Sequence, residues 1–156
     1  MSGGAMNSKG ELHVGDRIKS RRRTVSEGEF TAMVNLSWEN SPLHSDKEFA
    51  KTTAFGERIL GGPCIIPFVA GLSGQSHDLW ERTGCQLIAL LGIESVRFSA
   101  PLFPGDTIWV ETEVVGFKQT SKPGRFTVTV KDVLYKQDSR VILEMQRIVL
   151  MQDKTA

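Results

Sequence analysis

The stretch WENSPLHSDKEFA, residues 38–50, sets a carboxylate at Glu39 and an imidazole at His44 on either side of a bend centred on Ser41 and Pro42. Both side chains can give and take protons. Held over a ligand, the two could share one water and move its proton. In an ordinary surface bend they would be a solvated carboxylate and a capping histidine. The residue types alone leave both readings open. FGERILGG, residues 55–62, follows and ends in the paired glycines Gly61 and Gly62. Gly61-Gly62-Pro63 has the form of a helix entry, because glycine permits a tight approach and proline suits the first helical position.

The surrounding pattern supplies elements that could position these groups. DRIKSRRRTV, residues 16–25, reads as a first strand. Ser26-Glu27-Gly28-Glu29 has the S-x-x-E form of a capping box and predicts a short helix carrying Phe30, Met33, Val34 and Leu36. Asn40-Ser41-Pro42 should break it, since proline disfavours a helical residue before it. Ser45 or Asp46 then caps another short helix through Phe49 and Ala50. CIIPFVAGLSGQSHDLWER, residues 64–82, is apolar nearly all round as far as Gln75, the mark of a buried helix, with Pro67 about one turn in.

The texture then changes to strands. QLIALLGIESVRF is one strand whose glycine marks a bulge. PLFPGD is a turn. TIWVETEVVGF puts Ile108, Val110, Thr112 and Val114 on one face, and RFTVTVKDVLY turns Phe126, Val128, Val130 and Leu134 inward. RVILEMQRIVLM closes the set after a turn at Asp138-Ser139. One buried helix against an antiparallel sheet is an α+β domain. The expected organisation is a flexible tail over residues 1–12 and a single domain over 13–152.

Bulk composition narrows the function classes. The chain has 156 residues, 40% of them hydrophobic and 24% charged, with a formal net charge of +1. That suits one globular domain and shows no basic excess of the kind nucleic-acid binding requires. No apolar run reaches membrane-spanning length. The N-terminus lacks the apolar stretch of a secretory signal. Cys64 and Cys85 make neither a disulfide framework nor a metal cluster, so reduced thiols and a cytoplasmic location are expected.

The segment from Asn40 to Gly62 resembles the MaoC-like dehydratases and R-specific enoyl-CoA hydratases. Their motif runs D-x-N-P-[LIV]-H, then an acidic residue and a short helix ending near [YF]-A. A Phe-Gly pair and an I-[VL]-H-G helix entry follow. Pro42, Leu43, His44, Asp46, Phe49, Ala50, Phe55, Gly56, Ile59 and Gly62 fall in register with it. PLFPGDTIWVETEV resembles the family's P-[VL]-[FY]-x-G-D strand entry. The resemblance extends from about Ser26 to the end of the last strand. Four positions depart from it: Glu39 stands for the aspartate, Ser41 for the asparagine, Gly61 for the histidine before the family's oxyanion glycine, and Ala70 for a serine of the central helix.

The resemblance implies the hot-dog fold, a long central helix wrapped by a curved antiparallel sheet. It also implies water addition to, or removal from, the 2,3 double bond of an acyl-CoA thioester. Glu39 and His44 would be the proton-transfer pair and Gly62 an oxyanion donor. Ser41, Pro42, Gly61 and Ala70 would face substrate, with the changes at Gly61 and Ala70 reshaping the acyl pocket. Hydration needs a base for the water, an acid for the α-carbon and donors for the enolate oxygen. Backbone N–H groups at a helix N-terminus are unpaired and electropositive. Pro63 has no N–H, so more of that task falls to Gly62. The resemblance further implies a homodimer or dimer of dimers, with no metal or redox cofactor and coenzyme A present only as part of the substrate. Two alternatives remain: a non-catalytic acyl-thioester binding subunit of a hetero-oligomer, and a hot-dog thioesterase.

Other residues carry weaker signals. Cys64 reads as a small core residue. His77-Asp78 reads as a surface pair and Asp106 as a turn residue. Arg21-Arg22-Arg23 could meet coenzyme A phosphates, although such a run is more often a solvated face.

Overall fold

The computed structural model describes residues 12–74 and 84–153. Two short strands, β1 (Arg17–Lys19) and β2 (Arg23–Thr24), lead into the helices α1 (Glu27–Ser37), α2 (Pro42–Ser45), α3 (Lys47–Lys51) and α4 (Gly62–Gly74). Four long strands follow: β3 (Cys85–Phe98), β4 (Thr107–Gln119), β5 (Arg125–Lys136) and β6 (Val141–Asp153). They form one antiparallel sheet in the order β1-β4-β5-β6-β3, with β2 also pairing on β4.

Alternation along β4 and β5 builds the sheet's buried face. Ile108, Val110, Thr112 and Val114 are all buried, as are Phe126, Val128, Val130 and Leu134. Cys64, Ile65, Val69 and Leu72 of α4 pack on Ile108, Val110, Leu134, Leu143 and Met145, joined by Phe30 and Val34 of α1. The central helix therefore lies against β4, β5 and β6, the hot-dog arrangement that the resemblance implied. A second cluster around Val114, Phe126, Val128, Val130, Val149 and Met151 extends the core, and Leu12 packs on it.

Several details differ from the sequence reading. The single first strand is two, separated by residues 20–22. Ser20 causes the interruption, because its hydroxyl accepts the Val110 N–H at 2.9 Å where a backbone carbonyl would otherwise pair. Leu36 is exposed, so only Phe30 and Val34 anchor α1 fully. The helix ends at Trp38, which adopts φ 61° in the left-handed region, and so stops before the proline acts. Pro42 opens the one-turn α2 as its first residue, so here it starts a helix. Asp46, not Ser45, caps α3: its Oδ1 accepts from the N–H groups of Glu48 and Phe49. The expected bulge is present, as the β3–β6 register shifts between Leu90 and Gly92. The expected continuation of the central helix past Gly74, with His77 and Asp78, lies outside the described residues.

Several charged groups lie inside the core, against the alternation of the strands. Asp132 and Arg147 point into the core, where the guanidinium forms a two-pronged ion pair with the carboxylate. Thr112 Oγ1 donates to Asp132 Oδ1 at 2.6 Å. Asp106 is more than a turn residue. It accepts from Phe103 N–H at 2.9 Å, from Lys136 Nζ at 3.2 Å and from Gln137 Nε2 at 2.6 Å, which pins the PLFPGD turn to the end of β5.

Candidate active site

The site forms where the bend after α1 meets the entry to α4. The left-handed Trp38 reverses the chain just before Glu39, and Asn40 N–H returns to the Trp38 carbonyl at 2.9 Å. Ser41 then serves as the backbone anchor of α2. Its carbonyl accepts from His44 N–H at 2.8 Å and from the Ser45 N–H and hydroxyl. This one-turn helix carries His44 inward, where the residue is 9% exposed. Ser41 and Pro42 themselves remain exposed.

Glu39 and His44 meet. Glu39 Oε1 lies 3.7 Å from His44 Nε2, with the Glu39 side chain 39% exposed and that of His44 11%. The other ring nitrogen, Nδ1, sits 2.6 Å from the Ile59 carbonyl oxygen. A carbonyl can only accept, so Nδ1 bears a proton, and in the neutral form of the ring Nε2 is then the acceptor. A gap of this size between Nε2 and a carboxylate oxygen lets one water bond to both. Glu39 is reached by solvent while His44 is held in place. This combination suits a pair in which one group meets the reactant and the other fixes the geometry.

The paired glycines stand at this centre for two different steric reasons. Neither has a positive φ, so backbone conformation does not demand glycine at 61 or 62. A Cβ at Gly61 would lie 2.8 Å from Glu39 Cγ, 3.2 Å from Glu39 Cδ and 3.5 Å from His44 Nε2. A Cβ at Gly62 would lie 3.1 Å from the Phe98 ring. Gly62 is the first residue of α4, and Leu60 N–H donates to the Leu102 carbonyl at 2.9 Å, which ties the helix entry to the PLFPGD turn. Ala70 is half-buried farther along α4.

Sequence reasoning missed Phe98, the last residue of β3, which flanks Gly62 from the sheet edge. No local motif marks it; only the pairing of β3 with β6, which sets Phe98 opposite Leu143, brings it there. The arginine run is largely committed elsewhere. Arg22 lies over the Trp109 ring at 4.3 Å, and Arg23 pairs with Glu29. Cys64 is buried and its thiol donates to Ser37 Oγ at 3.0 Å. Among the described residues, no group of three or more His, Cys, Asp or Glu side chains could hold a metal ion, and no helix is long and apolar enough to cross a membrane.

With the pair and the helix entry in place, residues 11–135 match the model of the MaoC like domain. The chain belongs to the MaoC-like dehydratase family. It is 32% identical over 119 residues to the (R)-specific enoyl-CoA hydratase of Aeromonas caviae, covering 76% of this chain and 83% of that enzyme. It is 37% identical over 100 residues to Protein MaoC of Klebsiella aerogenes, covering 64% of this chain but 28% of the longer protein. Among solved structures, an Archaeoglobus monoamine oxidase regulatory protein superposes with a TM-score of 0.80 at 30% identity, over 92% of each chain. The hot-dog fold is thus common to this MaoC-like chain and its relatives.

Proposed function

We propose that this protein is a hydro-lyase that adds water to, or removes it from, the 2,3 double bond of an acyl-CoA thioester. The observation that carries the reading is the facing of Glu39 Oε1 and His44 Nε2, with the histidine's second nitrogen bonded to Ile59. In the hydration direction, a water held between the two groups gives up a proton as its oxygen attacks the β-carbon. The pair returns a proton to the α-carbon. The thioester oxygen, gaining enolate charge, is met by the backbone N–H of Gly62 at the start of α4. The proposed product is the R-hydroxyacyl thioester, which requires the pair to lie against the one face of the β-carbon whose attack gives that configuration. The steps need only proton transfer and fixed dipoles, so the proposal includes no metal or redox cofactor.

The working unit proposed is a homodimer. Among the described residues β3 is an edge strand paired only with β6, yet Leu87, Ile88, Leu90, Leu91, Ile93, Val96 and Phe98 along it are all substantially exposed. A long apolar edge of this kind is an aggregation site unless it is covered. A second copy would cover it, and Phe98 would carry the interface to within reach of Gly62.

The deciding experiment mixes the purified protein with a short trans-2-enoyl-CoA and follows loss of the conjugated thioester absorbance, with His44→Ala alongside. Loss that depends on His44, followed by chiral analysis showing the R-hydroxyacyl thioester, supports the reading. Acyl-CoA binding without turnover would reject it in favour of a non-catalytic binding subunit.

A further inference from the structure

We infer that Gly61 is the positioning residue of the Glu39 carboxylate, and that its missing side chain serves the acid/base pair and not the acyl pocket. The inference rests on the pair proposed above but assigns Gly61 a role which that proposal does not contain.

Three observations carry it. First, the space beside Gly61 is already filled, and it is filled by Glu39. An added Cβ would meet Glu39 Cγ at 2.8 Å and Cδ at 3.2 Å. Second, the closest collision is with Cγ, midway along the glutamate side chain, and the next is with Cδ, the carboxyl carbon itself. Cγ cannot move aside by bending the far end of a flexible chain. Relief by the side chain itself takes a different rotamer about the first side-chain bond, which carries the carboxylate away from its present place 3.7 Å from His44 Nε2. Third, Gly61 is not among the residues with positive φ, so a methyl group there is opposed by Glu39 and not by the backbone. His44 Nε2, at 3.5 Å from the same point, is in ordinary contact and would stay.

The relationship also accounts for two departures from the family pattern together. Glutamate carries one methylene more than aspartate, and glycine in place of histidine vacates space. In this chain the longer side chain occupies space next to the smaller residue. The departure at Gly61 therefore leaves no enlarged acyl cavity at that point.

The test compares wild type, Gly61→Ala, Glu39→Gln and the double variant on a short enoyl-CoA, with a crystal structure of Gly61→Ala. The expected results are a fall in kcat of about a hundredfold in Gly61→Ala with KM nearly unchanged. In the Glu39→Gln background, which keeps the shape but lacks the base, the same methyl group should change kcat by roughly twofold at most. The crystal structure should show the Glu39 carboxylate turned away from His44. Equal losses from Gly61→Ala in both backgrounds, or a raised KM with altered chain-length preference, would overturn the inference and make Gly61 a pocket residue. If Gly61→Ala does not fold, Glu39→Ala/Gly61→Ala decides: folding of the double variant supports the steric relationship, and failure of both overturns it. If wild type hydrates no enoyl-CoA, the proposed function fails. The crystal structure then decides this inference alone, and an unmoved Glu39 rejects it.

Discussion

His44 donates its Nδ1 proton to the carbonyl of Ile59, two positions before Gly61, at 2.6 Å. This bond joins the one-turn α2 to the segment entering α4. It fixes both the ring's orientation and its tautomer, and so aims Nε2 at Glu39. The bend at Ser41 and Pro42 is thus coupled to the helix entry through one side chain.

Removing either member of the pair should separate catalysis from folding. His44→Ala and Glu39→Gln are each expected to lower kcat by about 10²–10⁴. Glu39→Gln should leave the thermal midpoint close to wild type, because the amide matches the carboxylate in size and the group is partly solvated. Glu39→Asp should fall between wild type and Glu39→Gln, since a shorter carboxylate retreats from His44 beside an unfilled Gly61. Steady-state kinetics with melting curves on all three variants checks this. Full activity in Glu39→Gln would remove Glu39 from the reaction.

Much of this site was legible in the chain because it is local. Glu39, His44, Gly61 and Gly62 lie within one stretch whose turn and helix signals have specific physical causes, while the pairing of Glu39 with His44 followed from the family resemblance, and the alternation in β4 and β5 is plain in the chain. What was not legible depends on contacts distant in sequence. Phe98 reaches Gly62 only through the β3–β6 register. Asp132 and Arg147 break the rule that charged strand residues face out, and their mutual pairing is invisible until β5 and β6 are aligned. Ser20 splits the first strand by bonding to Val110, a residue far along the sequence. The volume relation of Gly61 to Glu39 likewise depends on a contact distant in sequence, because a glycine at a helix entry already has a sufficient local explanation.

The buried pair offers a stability test remote from the chemistry. Asp132 is 0% exposed and Arg147 7%. Asp132→Ala would leave a buried guanidinium without its partner, and should cost about 3–5 kcal/mol. Asp132→Leu combined with Arg147→Met removes both charges and should cost less, because no buried charge is left unpaired and the remaining loss is the acceptor of the Thr112 hydroxyl. Urea unfolding of the three proteins measures the difference. Similar losses in the single and double variants would mean that packing, not the ion pair, sets the cost.

The edge strand offers an assembly test. Leu90 and Leu91 are 48% and 55% exposed on β3. If a second copy covers that edge, Leu90→Lys/Leu91→Lys should convert a dimer into monomer, measured by sedimentation. Hydration should fall with it, because Phe98 beside Gly62 ends the same strand. A variant that stays dimeric would place the interface elsewhere.

The α1 capping box gives a pH dependence whose sign can be worked out. The Glu29 carboxyl is held down from 4.5 to about 2, first by the Ser26 N–H, then by the Ser26 hydroxyl and the Arg23 guanidinium. A carboxyl with a depressed value stabilises the fold while it is ionised. That contribution is complete above the ordinary value and is lost as pH falls from about 4.5 through about 2. Glu29→Gln keeps the reach of the side chain but cannot titrate. Its urea midpoint should lie below wild type at neutral pH, and the gap should close as pH falls through this window. Unfolding curves for both proteins from neutral pH to pH about 2 read the gap directly. A gap that stays constant down to the lowest pH would show that Ser26 and Arg23 do not favour the ionised form of Glu29.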